Sequence, residues 1–110
     1  MKFEIFQSEK NEKFYFRLVA RNGQIIISSQ AYGSKAAANN GVLSVGENAT
    51  IADHYDRKVA TNGKNFFSLK GGNGQIVGDS QMYASADGME NGIKSVMEHA
   101  PIAPVVDLTA

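Results

Sequence analysis

The stretches NGQIIISSQAYGS (22–34) and NGQIVGDSQMYAS (73–85) decide the fold, because they are one motif written twice in a chain of 110 residues. Sliding the chain by 51 residues aligns Phe16 with Phe67, Leu18 with Leu69, Asn22-Gly23-Gln24-Ile25 with Asn73-Gly74-Gln75-Ile76, and Ser29-Gln30 with Ser80-Gln81. The same slide aligns Tyr32 with Tyr83, Ser34 with Ser85, Asn40-Gly41 with Asn91-Gly92 and Val45 with Val96. Identity at that spacing marks a duplicated structural unit. The two copies also serve as a small internal alignment, in which shared positions report what the unit requires.

Upstream of Asn22-Gly23 runs KFYFRLVA (13–20) and downstream runs QIIISS (24–29), both rich in aromatic and β-branched residues. Two such runs about an Asn-Gly pair spell a β-hairpin, and a two-residue turn is the expected connection. That turn sets Arg21 opposite Gln24, Ala20 opposite Ile25, Leu18 opposite Ile27 and Phe16 opposite Ser29. One face then carries Phe16, Leu18, Ala20, Ile25 and Ile27, and the other carries Tyr15, Arg17, Val19, Ile26 and Ser28. The second copy keeps Phe67, Leu69 and Ile76 on the first face, which makes it the core side; Phe66, Ser68, Lys70 and Val77 on the other face mark it as exposed or partner-facing.

After each hairpin come a tyrosine and then Ser34 or Ser85, which read as helix N-caps. The helices are expected over about 35–46 and 86–98, with Ala38, Val42 and Val45, or Met89, Ile93 and Val96, at the spacing of one face. Gly41 and Gly92 fall at matching mid-helix places, where each costs about 1 kcal/mol against alanine. A cost repeated in both copies suggests close approach of the helix to a strand or to its twin, the alternative being simple tolerance of glycine at that place. KFEIF (2–6) alternates like a strand, and HYDRKV (54–59) takes the matching place after a one-residue slip.

Each unit is therefore βββα, one over 1–51 and the next over 52–101. Three strands and a helix bury too little alone, so the expected architecture is α+β: two tandem units about a pseudo-twofold axis, joined in a single antiparallel sheet with both helices on one face. The tail, 102–110, supplies a candidate edge strand in Val105, Val106 and Leu108.

Composition narrows the function classes. A hydrophobic fraction of 43% with 20% charged residues belongs to a folded soluble chain. Eleven Lys and Arg balance 11 Asp and Glu, leaving no long-range field to draw in nucleic acid or an anionic membrane. The first copy is mildly basic (Lys2, Lys10, Lys13, Arg17, Arg21 and Lys35 against Glu4, Glu9, Glu12 and Glu47) and the second mildly acidic. The start lacks the apolar core of a signal peptide and no run approaches a membrane span, so a cytoplasmic setting is the default expectation. With no cysteine, disulfides, thiolate zinc sites and cysteine nucleophiles are excluded.

Catalytic constellations are missing too. GGNGQIVG (71–78) lacks the spacing of either phosphate-binding glycine motif and falls in a hairpin, where its glycines serve the turn. His54 and Asp56, on the same face of the expected strand, are too few for a metal site, and His99 stands at the end of the second helix, where a cation complements the dipole. No G-x-S-x-G elbow occurs. No catalytic residue, metal or cofactor is assigned. What the repeat does retain is polar: Ser29, Gln30, Tyr32 and Ser34, matched by Ser80, Gln81, Tyr83 and Ser85, at the strand-to-helix corner. These corners could hold a ligand, and could equally serve to cap the helix and satisfy loop backbone.

The N-G-Q-I-[IV] turn, the S-Q-x-Y-x-S corner and the duplicated βββα unit together resemble the YegP-like family of small proteins, over nearly the whole chain up to about Pro101. The resemblance implies one sheet shared by the units, with C-terminal strands exchanged between them, which makes HYDRKV and the tail the exchanged strands. The typical unit has a lysine after the capping serine, as at Lys35; Ala86 departs from this. No catalytic residue comes with the resemblance.

The leading functional expectation is a non-enzymatic binding or adaptor module, monomeric with internal pseudo-dimer symmetry, whose partner is an unidentified protein or small ligand. Its candidate residues are Tyr15, Arg17 and Phe66 on the outer face and Gln30, Tyr32, Gln81 and Tyr83 at the corners, held by the structural positions Asn22, Gly23, Ser34, Asn73, Gly74 and Ser85. The alternative is nucleic-acid binding through the sheet, with Tyr15 and Phe66 stacking on bases and Lys13, Arg17, Arg21 and Lys70 near phosphates, against the prior set by zero net charge.

Overall fold

The computed structural model describes residues 1–109. Strands β1 (Lys2–Gln7), β2 (Phe14–Val19) and β3 (Ile25–Ser29) lead into helix α1 (Lys35–Asn48); β4 (Tyr55–Val59), β5 (Asn65–Lys70) and β6 (Ile76–Ser80) lead into α2 (Ala86–His99), and β7 (Val105–Asp107) follows. All seven strands form one sheet in the order β4-β5-β6-β3-β2-β1-β7. Both helices pack on the same face of it, over a single core to which Phe3, Ile5, Phe16, Leu18, Ile27, Phe67 and Leu69 point from below.

The repeats meet at β3 and β6, which run antiparallel with Ile27 opposite Ser80, Ser28 opposite Asp79 and Ser29 opposite Gly78. Ser28 and Asp79 are equivalent positions, so the pseudo-twofold axis passes through that pair. One departure from an antiparallel sheet occurs at the edge, where β7 lies parallel to β1.

The hairpin turn differs from the two-residue expectation. Among the described non-glycine residues only Glu12 has positive φ, so Asn22 is not left-handed and a two-residue type I′ turn is ruled out. The loop instead closes with Gly23 N–H donating to Ala20 C=O and Ala20 N–H to Gln24 C=O, a three-residue turn whose left-handed member is Gly23 (φ 86°). Asn22 Oδ1 accepts from Gln24 N–H at 3.0 Å. The same construction recurs at Asn62-Gly63 and Asn73-Gly74.

The extra turn residue shifts Ile25 from Ala20 to Val19, and a β-bulge at Ile26 returns the ladder to Leu18 opposite Ile27. The expected placement of Ile26 on the outer face is thereby corrected: the bulge turns it inward and it is 6% exposed, as is Val77 at 8% in the second repeat. Ile25 and Ile76, assigned to the core face, are exposed instead. The slip between KFEIF and HYDRKV is a shorter connection, because β1 and β2 are separated by residues 8–13 and β4 and β5 by 60–64.

Both serines cap as expected, Ser34 Oγ accepting from Ala37 N–H and Ser85 Oγ from Gly88 N–H. The mid-helix glycines answer to the corner tyrosines. A Cβ on Gly41 would stand 2.7 Å from Phe16 Cε2 and collide with the Tyr32 hydroxyl, and one on Gly92 would stand 2.7 Å from Tyr83 Cζ. Each tyrosine therefore lies across the helix where a side chain is missing, with Tyr32 stacked on Phe16 and Tyr83 on Phe67.

Candidate functional site

The corner residues split into frame and lining. Ser29 Oγ accepts from Phe16 N–H at 2.9 Å and donates to Gln30 C=O at 2.8 Å; Ser80 does the same between Phe67 and Gln81. These hydroxyls tie β3 and β6 to their neighbours where the chain leaves the sheet. Tyr32 and Tyr83 extend the ties through backbone bridges to Phe14 and Asn65. Burial raises the pKa of the Tyr32 hydroxyl by disfavouring its ionised form. Tyr83's hydroxyl is sealed against α2 with no hydrogen-bond partner among the described residues.

Beside the first corner lies a cleft of about 610 Å³ that neither repeat makes alone. The first repeat gives Gln30, Tyr32 and the α1 residues Asn40, Gly41, Ser44, Glu47 and Asn48, and the second gives its hairpin turn, Gly71 to Asn73, with Gln75 to Val77. Glu47 is its single charged lining residue, amid five carboxamides. Two of those are committed: Asn48 donates to Ser44 C=O at 2.8 Å and meets His54 Nδ1 at 2.6 Å, and Asn73 holds the turn. Gln30, Asn40 and Gln75 face the opening with both donor and acceptor available, since no hydrogen bond engages their side chains among the described residues.

The pseudo-twofold places a second cleft at the other corner, and it is smaller. About 390 Å³ remains there, bounded by Met1, Ala20, Arg21, Ser95 and His99. Ala20 and Arg21 stand where the first cleft has Gly71 and Gly72, and His99 where it has Asn48. The Gln24 side chain bonds that of Gln81 across the gap, whereas the matching Gln75 and Gln30 both line the first cleft. Gly71-Gly72, legible in the sequence as turn chemistry, thus also clears space. The cleft escapes sequence reasoning because its walls come from stretches about forty residues apart, brought together only by the dyad; the substitution of Gly71-Gly72 for Ala20-Arg21 is the signal that points to it.

The outer face assembles Tyr15, Arg17 and Phe66 differently. Tyr15 stacks on Phe6 at 5.7 Å, and Arg17 lies over that same Phe6 ring while its Nε donates to Glu4 at 2.7 Å. The hydrogen bond from Arg17 lowers the Glu4 pKa, keeping the pair charged. Phe66, in the other half of the sheet, lies beneath Lys58, whose ammonium donates to Ser68, itself bonded to Asp79. Lys70 faces Asp56 at 3.6 Å. The outer cations are therefore mostly matched by carboxylates of the same face, and Arg21 lines both the second cleft and a groove it shares with Lys2, Glu4 and Arg17. The expected pairing of His54 with Asp56 on a strand face is corrected: His54 lies in the 3₁₀ turn before β4, bonded to Asn48. Among the described residues, no three acidic or histidine side chains gather as a metal cage, and no helix is long and apolar enough to cross a membrane.

A tandem α+β repeat sharing one sheet defines the class, and the comparisons supply the family. The sequence profile of a domain of unknown function, DUF1508, matches residues 9–56 and again 60–107, and the chain belongs to that family. It is 45% identical over 107 residues to a UPF0339 protein of Shewanella oneidensis, covering 97% of this chain and 96% of that one. It is 44% identical, with the same coverage, to the UPF0339 protein YegP of Escherichia coli K12. The solution structure of UPF0339 protein SO3888 from Shewanella oneidensis superposes with a TM-score of 0.90 at 44% identity, covering 97% of this chain and 90% of that one. That of the protein of unknown function yegP from E. coli superposes at 0.89 and 42%, covering 97% and 91%.

Proposed function

We propose that the protein is a non-enzymatic binding module whose ligand site is the first corner cleft, and that its ligand is a small polar molecule without net negative charge. The observation that carries this reading is the asymmetry between the two corners: one cleft is larger and carboxamide-lined, while at the other Arg21 lines a smaller space and the Gln24 and Gln81 side chains bond one another. Free Gln30, Asn40 and Gln75 offer paired donors and acceptors to hydroxyl or amide groups, and Glu47, with no lining cation, disfavours a carboxylate or phosphate. The outer face is the weaker candidate for protein or nucleic acid, since its aromatic rings are stacked and its cations matched.

The test uses the residue already found at the other corner. A Cβ on Gly72 meets nothing within 4 Å, so the turn admits Gly72→Arg, which puts on the lining of the first cleft the residue that Arg21 supplies to the second. Hexoses, polyols, amino-acid amides and polyamines are titrated into the labelled protein by amide NMR. The expected result is shifts confined to Asn40, Ser44 and 71–76 in the parent and absent from Gly72→Arg; shifts that survive the substitution, or none from any of the four classes, contradict the reading.

A further inference from the structure

Charge matching on the outer sheet face fails at one end, beside the first hairpin turn. Lys2 on β1, Arg17 on β2 and Arg21 in the turn line a groove of about 330 Å³ in which Glu4 is the only acid. Glu4 lies low in that group: its side chain is 14% exposed, against 32% for Arg17 and 48% for Lys2, so the cations are the more open to solvent. Glu4 also leaves most of the donors unused. It accepts from Arg17 Nε at 2.7 Å and stands 3.5 Å from Lys2 Nζ, while neither terminal nitrogen of Arg17 makes a hydrogen bond among the described residues. That bond holds Arg17 in place together with Phe6, whose ring centre lies 4.6 Å from the guanidinium carbon. Arg21 enters no ion pair and no side-chain hydrogen bond among the described residues.

The dyad supplies an internal comparison. In the second repeat Asp56 stands where Glu4 does, opposite Ser68 in place of Arg17, and Gly72 takes the place of Arg21. His54, two residues before Asp56, replaces Lys2 and is bonded to Asn48. The lysines that face this half, Lys58 and Lys70, both pair with Asp56, and Asp79 lies close by on Ser68. Three cations against one carboxylate in the first repeat thus become two against two in the second, so the zero net charge of the chain conceals a local excess.

We infer that this groove is a second ligand site, separate from the carboxamide-lined cleft and independent of it, and that it takes a phosphate dianion, free or carried on a small phosphomonoester. A planar guanidinium with both terminal nitrogens available offers the paired donors that phosphate oxygens accept, and the hold of Glu4 and Phe6 on Arg17 reduces the entropy lost on binding. Lys2 and Arg21, on flexible stems and open to solvent, close on the anion from either side. The surplus of two positive charges suits a dianion better than a monoanion, and Val19 and Ile25 give the carbon portion of an ester an apolar wall.

Glycerol 3-phosphate, inorganic phosphate, dimethyl phosphate and glycerol are titrated separately into the full-length protein at low salt and ~pH 8, where the first two are dianions, with backbone amide and arginine Nε–H NMR signals as the readout. Saturable shifts at Glu4 and 17–25 are expected from the dianions and none from glycerol, with the singly charged dimethyl phosphate about fivefold weaker or worse. The tighter of the two dianions identifies whether the free ion or the ester is the natural occupant. Arg21→Gln, on an exposed turn residue without partners, is expected to weaken dianion binding by about fivefold or more, and Lys2→Gln to do so by a smaller factor. Lys70→Gln removes the same charge from the other half of the face and is expected to leave the affinity within about twofold. Equal losses in Arg21→Gln and Lys70→Gln, or no saturable shift below about 10 mM dianion, overturn the inference. So does dimethyl phosphate or a single-stranded oligothymidylate binding as tightly as the dianions, and the oligothymidylate result would assign the groove to nucleic acid instead.

Discussion

Ile27 and Gly78 occupy matching places in the two repeats, and the axis between them leaves room for one side chain. A Cβ on Gly78 would stand 2.7 Å from Ile27 Cγ2 and 3.0 Å from the Ser28 carbonyl oxygen. Gly78→Ala should therefore destabilise by about 1–3 kcal/mol, the usual cost of overpacking, and in the Ile27→Ala background it should cost measurably less, a coupling that denaturant melts of the four chains read directly. Glu12 carries the opposite lesson. It is left-handed at φ 59° where three other turns place glycine, a conformation costing roughly 1–2 kcal/mol that glycine avoids at a smaller entropic cost. Glu12→Gly is expected to stabilise by about 0.5–1 kcal/mol net, visible as a raised midpoint. At Tyr83 the sealed, unpartnered hydroxyl makes Tyr83→Phe neutral to stabilising by about 1 kcal/mol.

Helices and hairpins were largely legible, and where they were not the reason is local. Asn-Gly favours both the two-residue turn and the three-residue turn with a left-handed glycine, so the letters alone did not distinguish them; the bulges at Ile26 and Val77 are the ladder's correction for that choice. Paired glycines at 41 and 92 did signal close approach, but the partner, a tyrosine nine residues upstream in each copy, comes into view only in the folded corner. Replacing Gly41 with alanine gains about 1 kcal/mol of helix propensity and loses more by overpacking against Phe16 and Tyr32, for an expected net loss of about 1–2 kcal/mol by thermal melt. At the sheet edge, Asp107 is held at a pKa of about 2 by hydrogen bonds from Thr109 and by Lys35. A depressed acid contributes above its ordinary value and loses that contribution as pH falls through its folded value. Hydrogen-exchange protection of the Leu108 and Phe3 amides, which bond Ile5 and Pro104 across this edge, should therefore fall between ~pH 4 and about 2, and Asp107→Asn should remove that pH step.

At the scale of the molecule, duplication gives one core from two units that are each too small. The α+β class, the shared sheet and both helices on one face could be argued from the spacing of Phe16, Leu18, Asn22-Gly23 and Ser34 and their second copies, and the family from the resemblance of the turn and corner motifs. An edge strand in the tail was legible at Val105 and Val106, but its parallel pairing with β1 was not, because pairing between distant stretches leaves no local periodicity. Nor was the open cleft, which requires two repeats facing one another with unequal turns. That inequality carries the proposed function, in which one corner is kept for a ligand and its twin is not. The most direct measurement is amide NMR on the parent, on Gly72→Arg, and on the converse variant Arg21→Gly, each titrated with the same hexoses, polyols, amino-acid amides and polyamines. Saturable shifts at Asn40, Ser44 and 71–76 in the parent and in Arg21→Gly, abolished in Gly72→Arg, are the predicted result; shifts centred on Ser95 and His99 in the parent, or a response indifferent to Gly72→Arg, would contradict it.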